Sequence, residues 1–439
     1  MMNRRNLLRA SAALVAAPAI VSRANAQSKF DWKRFKGQSI EVNYAKAPYA
    51  DLLQAHEKEF TELTGIEVGS EQIPEQQQRP KVAVEFASGR PSFDVVAVAL
   101  HVQKKQIEKG HWLTDLRPMI ADGSMTDANY DFADFGGPGV HAATGPDGAL
   151  NTIPIKQDLW LTFYNKKIFA DHGLQFPKTL DELYSHAKAL TDPSKGIYGY
   201  VGRGLKNANL PPYTAMLWGW NQGTISEDGK TLLTDTPDAI AAAEYYGRLM
   251  RDTAPPGSIG FNWNESQTSF IQGRAAMWID GIGFSAPIID PKLSKISNDA
   301  GFLPVPPGPK GQASDTFIDG LGIAAASKKK GPAWYYVQWA TNKKMLSEML
   351  STGSATPPRS SVYQDQSIMK GSVFPQQWFD TALACLKMAK PGLPEIVGVT
   401  EFRDTIGVAL TNIIGGADAA TEMKKATETF KPILAKELT

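Results

Sequence analysis

The hydrophobic positions of the chain follow a strand period first and then a helical one. A strand is predicted over residues 39–44, and residues 48–63 then carry apolar side chains at the three- and four-residue spacing of a helix. A second strand begins at Ile66. The unit repeats, with a helix predicted over residues 81–87 and a continuous apolar strand, typical of burial on both faces, over residues 93–100. This alternation predicts an α/β fold with largely parallel sheets.

Helix-start signals and buried strands continue into the second half. Thr179 and Glu182 have the spacing of a capping box, in which both side chains satisfy free backbone donors at a helix start. Thr236 before Pro237 is a second start signal, a cap followed by proline at the first helical position. Two further buried strands are predicted, over residues 275–279 and 321–326.

The first 26 residues have the pattern of an export signal. Arg4 and Arg5 precede an apolar segment over residues 10–21. Residues 24–26 then form a cleavage site of two alanines around an asparagine. Because the segment is too short to span a bilayer of about 30 Å, we expect it to be removed and the protein to work in the periplasm. The paired arginines favour the twin-arginine route, with an ordinary secretory signal as the alternative.

Length, charge and cysteine content narrow the class of protein. Cleavage after Ala26 leaves 413 of the 439 residues, enough for about two to three domains. Loss of the four arginines of the signal changes the formal net charge from +1 to −3, which argues against nucleic acid or an anionic membrane as partner. Cys385 is the only cysteine, so the exported chain has no internal disulfide, and its apolar surroundings predict a buried residue.

Signatures of catalysis, of cofactors and of metal sites are missing from the sequence. The six histidines are scattered, and no nucleophile elbow, phosphate loop or dinucleotide fingerprint occurs. We therefore expect no catalytic residues, no cofactor and no metal ion. A glycosidase that uses paired carboxylates stays open, because composition does not exclude it.

Aromatic residues are the feature of the sequence that indicates a binding function. Several of the ten tryptophans lie in turn-like settings, in residues 217–221 and 261–264. A flat indole face beside short polar side chains suits a ligand with C–H faces and hydroxyl edges, such as a sugar. The alternative for each tryptophan is a place in the core, since tryptophan is highly buried on average.

Five segments share their order and spacing with one known family. They are residues 60–68, residues 163–169 followed by 173–174 and 177–183, residues 270–277, residues 303–308 and residues 320–324. Together they resemble the extracellular solute-binding proteins of family 1, the carbohydrate-type receptors of ATP-binding-cassette (ABC) importers. Each segment is weak alone, and their combination covers almost the whole mature chain.

The resemblance implies an α/β fold of two lobes joined by a hinge, with a central cleft between them. Beyond the export signal peptide of residues 1–26, it implies an N-terminal lobe of residues 27–156 plus 320–358 and a C-terminal lobe of residues 159–317 plus 360–439. The chain would cross between the lobes near Lys156 and Gln157, near Phe317 and Ile318, and near Pro357 and Pro358.

The resemblance also implies a set of cleft residues that bind the ligand. They are Tyr44, Lys46, His101, Asp158, Tyr213, Trp218, Trp220, Asp280, Asp319 and Arg403. An ionised carboxylate such as Asp158 suits sugar hydroxyls because it accepts charge-assisted hydrogen bonds on two oxygens. Arg403 stands where the maltodextrin-type members carry a stacking aromatic residue. This departure favours a smaller polyol, a monosaccharide or an acidic sugar over a maltodextrin.

The function implied is a monomeric substrate-binding receptor that captures a small-molecule solute, a sugar or polyol, for ABC permease subunits in the inner membrane. One alternative is a receptor for an anionic solute, such as a sugar acid or a phosphorylated polyol. Phosphodiesters, polyamines and metal chelates are further ligands for the same fold. A secreted enzyme that acts on polysaccharide through Asp158 and Asp280 is the remaining alternative.

Overall fold

A computed structural model describes residues 29–437 of the protein. The predicted export signal and its cleavage site lie outside the described residues. None of the helices within residues 29–437 is both long enough and apolar enough to cross a membrane.

Nine strands of the described chain form one sheet with the order β2-β1-β3-β8-β4-β6-β5, in which β7 also pairs with β4 and β9 with β8. The strands are β1 Ser39–Ala45, β2 Glu67–Ile73, β3 Val95–Ala99, β4 Ile153–Asn165, β5 Tyr198–Val201, β6 Ala275–Gly281, β7 Ala300–Pro304, β8 Ser314–Ile323 and β9 Ala389–Pro391.

Helices cover both faces of this sheet. They are α1 Pro48–Thr64, α2 Glu75–Ala87, α3 Leu100–Gly110, α4 Arg117–Ala121, α5 Gly137–Ala143, α6 Lys166–Asp171, α7 Leu180–Ala189, α8 Leu210–Leu217, α9 Pro237–Thr253, α10 Trp263–Ile271, α11 Ser285–Ile289, α12 Lys330–Ala340, α13 Lys343–Thr352, α14 Gln366–Gly371, α15 Gln376–Lys387, α16 Val399–Ile414 and α17 Ala419–Glu437.

The first two strand-helix units have the predicted order. Helix α1 ends at Gly65, which adopts φ 72° and donates its N–H to the carbonyl of Thr61, so the stop requires the left-handed conformation that glycine tolerates. Helix α2 begins at Glu75, six residues earlier than predicted. Pro80 lies inside α2 and removes one backbone hydrogen bond, which hides the first turns of this helix from a sequence pattern.

The start signals of α7 and α9 are confirmed in detail. The Thr179 hydroxyl accepts from the N–H of Glu182 at 3.1 Å, and the Thr236 hydroxyl accepts from the N–H of Ala239 at 3.2 Å. The Glu182 carboxylate accepts from the N–H of Lys178 at 2.7 Å, one residue before the donor that a full capping box would use.

The expectation of largely parallel sheets is half wrong. Among the strand pairings of the described residues, four are parallel and four are antiparallel. The antiparallel pairings all involve β4 or β8, two long strands that run in opposite directions. Strand β4 has no prediction in the sequence, because Lys156, Gln157 and Asp158 interrupt its apolar pattern, and β8 begins seven residues before the predicted start at residue 321.

Strands β4 and β8 connect the two lobes. Residues 153–159 of β4 pair with β8, whereas residues 160–165 pair with β6 and β7. Where the chain passes from one lobe to the other, the register sets Gln157 opposite Ile318. Gln157 also bonds the third connection, because its N–H donates to the carbonyl of Thr356 at 2.8 Å and its carbonyl accepts from the Thr356 hydroxyl at 2.7 Å. The segment at Thr356, next to the predicted third crossing, therefore lies beside β4 and β8.

Buried apolar residues of the described chain form three clusters. The first draws on residues 40–155 and 318–355, and belongs to the lobe built around β1 and β3. The other two lie on opposite faces of the second lobe's sheet, since Trp160 and Leu161, neighbours on β4, belong to different clusters. Cys385 is buried in the third cluster, and burial raises the pKa of its thiol to about 12.

Arg359, one residue beyond the third connection, anchors that segment inside the first lobe. Its side chain is 1 % exposed, and it donates to the carbonyls of Tyr130, Asp131 and Thr341 at 2.6, 2.8 and 3.1 Å. The Asp134 carboxylate lies 3.3 Å away and supplies the counter-charge. A buried guanidinium with this many acceptors fixes the position of the segment.

Replacing Arg359 by methionine should lower the free energy of unfolding by about 3 kcal/mol, because the Asp134 carboxylate and three buried carbonyls lose their donor. Urea unfolding followed by circular dichroism measures this change. The matched control is Arg90→Met, at an exposed arginine, which should stay within about 0.5 kcal/mol of the parent. Equal effects of the two substitutions would contradict the anchoring role.

Candidate functional site

A cavity of about 840 Å³ lies between the two lobes. The connecting strands β4 and β8 supply its floor, through Lys156, Asp158, Phe317 and Asp319. The first lobe contributes the starts of α1, α2 and α3, and the second lobe contributes residues of α10, α11 and α16. A concave site of this size that is lined by both lobes is where we expect a small molecule to bind.

The floor carries an ion pair along one strand. The Lys156 ammonium lies 3.4 Å from the carboxylate of Asp158, and both face the cavity because side chains two residues apart in a strand share a face. The Asp158 carboxylate also accepts from the N–H of Gly283 at 2.9 Å. Burial opposes the charge of Lys156, but Asp158 and Asp319 outweigh it and raise the pKa of the ammonium. Lys156 is therefore a cation at neutral pH.

A histidine and a carboxylate face each other beside this pair. His101 Nδ1 lies 4.0 Å from Asp319 Oδ1 and has no hydrogen-bond partner among the described residues. Burial, reinforced by Arg79 and Arg403, holds the pKa of His101 well below its ordinary value. Burial raises the pKa of Asp319, against the opposing charges of Lys156 and Arg79. The neutral imidazole can offer one donor and one acceptor to a ligand hydroxyl.

Arg203 enters the cavity with a buried partner behind it. Its Nε donates to Asp280 Oδ2 at 2.8 Å, and its Nη2 donates to the other oxygen of the same carboxylate. Asp280 is fully buried, and burial raises the pKa of its carboxyl while Arg203 opposes the shift. A bidentate pair of this kind fixes the plane of the guanidinium.

Arg403 is a partly buried cation of the site whose hydrogen-bond partner is a backbone carbonyl. Its Nε and Nη2 both donate to the carbonyl of Asn207, at 3.3 and 3.1 Å, and it forms no ion pair within residues 29–437. Burial, together with the charges of Arg79 and Arg203, lowers the pKa of Arg403 to about 10. Arg79 differs, since it pairs with Glu75 one turn earlier on α2.

The structure brings together half of the ten predicted ligand residues. Those that line the cavity are Lys46, His101, Asp158, Asp319 and Arg403. The connecting strands, the turn before α1 and the start of α3 supply four of them. No group of three or more His, Cys, Asp or Glu that could hold a metal ion occurs within residues 29–437.

The other five predicted residues do not line the cavity. Tyr44 is fully buried in the first lobe, where its hydroxyl bonds that of Tyr336, and Tyr213 is fully buried in the second. The Tyr213 hydroxyl donates to the carbonyl of Ala239 at 3.0 Å, so both hydroxyls have partners inside a lobe. Trp218 and Trp220 pack within the second lobe, and Asp280 lies behind Arg203.

The cavity residues that sequence reasoning missed include Arg79, Lys156, Trp160, Arg203 and Phe317. The period of a strand could have found three of them, since Lys156 and Trp160 flank Asp158 at a spacing of two and Phe317 has the same relation to Asp319. A different signal could have found Arg203, because it stands between two glycines directly after β5.

Trp218 has a different partner from the one predicted. Its Nε1 donates to Asp315 Oδ1 at 2.7 Å, and the Thr214 hydroxyl donates to the other oxygen of that carboxylate at 2.5 Å. Asp315 is fully buried on β8, two residues before Phe317 of the cavity floor. Burial raises the pKa of Asp315 to about 7, against the two hydrogen bonds.

Comparison with known proteins identifies a family that matches this chain. The profile described as bacterial extracellular solute-binding protein matches residues 42–345. The erythritol/L-threitol-binding protein of Mycolicibacterium smegmatis is 28% identical over 420 residues, which cover 91% of this chain and 87% of that protein.

Two solved structures share the fold over nearly their whole length. A solute-binding protein of Agrobacterium radiobacter K84 in complex with ribitol has a TM-score of 0.80 at 23% identity, covering 91% of this chain and 99% of that one. A solute-binding protein of Agrobacterium vitis S4 with bound D-mannitol has a TM-score of 0.76 at 25% identity, with the same coverage of 91% and 99%. The two-lobed fold expected from the sequence is thereby confirmed.

Replacing Asp315 by asparagine should make the protein more stable at pH 8 and remove part of its pH dependence. Between about pH 4 and pH 7 the folded carboxyl keeps a proton that the unfolded chain releases, so stability falls as the pH rises through this window. Over the full window, the free energy of unfolding changes by about 4 kcal/mol. An asparagine side chain can accept from Trp218 and donate to Thr214 without any charge.

Thermal unfolding between pH 4 and pH 8 measures this difference. The gain from Asp315→Asn should be largest at pH 8 and shrink toward pH 4. Asp380→Asn, at an exposed aspartate of α15, serves as the control and should give no comparable gain. A variant that is less stable than the parent at pH 8 would contradict the raised pKa of Asp315 in the folded protein.

Proposed function

We propose that this chain, which belongs to the family of bacterial extracellular solute-binding proteins, captures a sugar or polyol between its two lobes and delivers it to an ABC permease. The observation that carries the proposal is the floor of the cavity. Lys156, Asp158 and Asp319 stand side by side on the two strands that also connect the lobes. A hydroxyl-rich ligand bound there would contact the hinge and both lobes at once.

The chemistry of the lining suits hydroxyl groups. Asp158 and Asp319 offer carboxylate acceptors, Arg203 and Arg403 offer guanidinium donors, and His101 offers one of each. Each hydroxyl of a polyol is both a donor and an acceptor, so a mixed lining satisfies it better than a lining of one charge. The similarity to the erythritol/L-threitol-binding protein, over 91% of this chain, points to the same ligand class.

We propose a binding role without covalent chemistry. The alternative of a polysaccharide-acting enzyme needs two carboxylates that reach the substrate. Asp280, one of the two that this alternative uses, is fully buried and occupied by Arg203.

Ligand capture would couple to lobe closure. The proposed lobes, residues 27–156 plus 320–358 and residues 159–317 plus 360–439, both line the cavity. A ligand that contacts both lobes stabilises the closed state more than the open one, which shifts the population toward closure. The closed monomer would then present a surface to the permease. We also propose that the protein is exported to the periplasm, by the twin-arginine or the general secretory route.

A second candidate ligand is an anionic solute such as a sugar acid. It is favoured by Arg403, whose guanidinium has a backbone carbonyl as its partner and no carboxylate. A ligand carboxylate or phosphate would form charge-assisted bonds with it. This candidate requires anionic ligands to outcompete neutral polyols.

Thermal unfolding of residues 27–439 with a panel of ligands tests the proposal. Erythritol, ribitol, D-mannitol, neutral sugars, sugar acids and sugar phosphates make up the panel. A ligand present at a hundred times its dissociation constant stabilises the folded protein by about 2.7 kcal/mol, which is a clear shift of the midpoint. Stabilisation by a neutral polyol or sugar supports the proposal, stabilisation by anions alone supports the second candidate, and an unchanged midpoint with every ligand contradicts both.

Asp319→Asn should weaken binding of the stabilising ligand by about 10- to 100-fold, since a hydrogen bond to a charged acceptor is lost. Isothermal titration calorimetry measures the affinity. The free protein should be no less stable than the parent, because the substitution removes a buried carboxyl whose pKa is raised. Asp380→Asn is the control for both measurements, and an unchanged affinity of Asp319→Asn would remove Asp319 from the site.

A further inference from the structure

Most of the aromatic residues in the cleft have flat faces that are already covered by other side chains. Trp160, Trp263, Phe284 and Phe317 all line the cavity. A pyranose ring binds such a face with its C–H groups, so a free aromatic face is what a receptor for ring sugars needs. Whether these faces are free therefore bears on the class of ligand.

Arg203 occupies the space beside two of these rings. Its guanidinium carbon lies 5.1 Å from the ring centroid of Trp160 and 5.6 Å from that of Phe284. Trp160 is accordingly only 3% exposed although it lines the cavity. The guanidinium thus takes the place that a sugar ring would need.

The remaining faces are covered by other side chains. Phe284 stacks on Trp263 at 5.1 Å with an interplanar angle of 19°. Phe317 contacts Trp160 at 5.9 Å and meets the ring of His101 edge-on at 5.2 Å. Among the aromatic residues that line the described cavity, Trp263 is the one that is widely exposed, at 39%.

Arg203 is fixed in this place from behind. Asp280 holds its guanidinium by two hydrogen bonds, and the Tyr246 hydroxyl donates to its backbone carbonyl at 2.6 Å. On the far side, Gly204 packs so tightly that a Cβ there would lie 2.3 Å from the carbonyl oxygen of Ser258. Moving Arg203 aside for a ring would leave the fully buried Asp280 carboxylate without its partner, which is costly.

An open-chain polyol makes a different demand. It has no flat face to stack, and it gains its affinity from hydrogen bonds along the chain of hydroxyls. Arg203 uses Nε and one N–H of Nη2 for Asp280, so its remaining N–H groups are available to ligand oxygens. Across the floor, Asp158 and Asp319 supply the acceptors.

We propose that Arg203 is the specificity-determining residue of the cleft, which admits open-chain polyols and excludes pyranose rings by covering Trp160 and Phe284. Asp280 is its positioning residue. The inference rests on the proposed function and narrows it from sugars and polyols to the open-chain class.

The test compares two ligand classes on the parent protein and on Arg203→Ala combined with Asp280→Asn, which uncovers the rings without leaving a buried charge. Ribitol and D-mannitol represent open chains, and methyl α-D-glucopyranoside and methyl α-D-mannopyranoside are locked as rings. Calorimetry should show that the parent prefers open chains by at least about 100-fold, the size of two lost hydrogen bonds. The variant should lose about 10- to 100-fold in open-chain affinity and gain affinity for the locked rings.

Arg248→Ala is the matched control. Arg248 also stacks on a ring, with its guanidinium carbon 4.3 Å from the centroid of Tyr184, and it does not line the cavity. Its substitution should leave the ratio of the two affinities unchanged. Circular dichroism checks that each variant folds, and if the double variant does not, Asp280→Asn alone should lower the ratio by loosening Arg203.

Two results would overturn the inference while leaving the proposed function in place. One is a parent protein that binds the locked rings as tightly as the open chains. The other is a folded variant whose ratio of affinities equals that of the parent. A parent protein that binds neither class would contradict the proposed function itself, and the inference with it.

Discussion

The antiparallel pairing of β4 and β8 is the constraint on which the rest of the structure depends. These two strands hold both halves of the sheet together, and their register sets Lys156 opposite Asp319 and Asp158 opposite Phe317. The same residues form the floor of the cavity. Under the proposed function, hinge and binding site are therefore one piece of backbone, and a ligand on the floor would act directly on the segments that bend when the lobes move.

The charged residues of the cleft differ in how firmly they are held. Arg203 is fixed by the buried Asp280, and Lys156 is paired with its strand neighbour Asp158. Among the described residues, Arg403 has the carbonyl of Asn207 as its hydrogen-bond partner, and burial together with the charges of Arg79 and Arg203 lowers its pKa. A site that combines fixed groups with a guanidinium held by a backbone carbonyl is preorganised for polar ligands at the floor and leaves a strong donor for the ligand itself.

Tertiary contacts explain why some of the predicted site residues lie in the core and why residues that were not predicted line the site. Tyr44 and Tyr213 were predicted to bind the ligand, but the hydroxyl of each forms a hydrogen bond inside its own lobe. Trp218 instead closes over Asp315, a carboxyl whose raised pKa follows from complete burial. Hydrogen-bond partners that are far apart in the chain decide these outcomes, and a local pattern contains no information about them.

The sequence by itself determined the local elements and the family. The helix stop at Gly65 and the cap at Thr179 follow from backbone and side-chain chemistry within a few residues, so they could be predicted correctly. Only the tertiary structure decided the composition of the site. The bond between Arg203 and Asp280 joins residues 77 apart, and the opposition of Asp158 and Phe317 joins two strands 159 residues apart. Such contacts depend on how whole lobes pack, because the conformational energy of each local segment is the same with or without them.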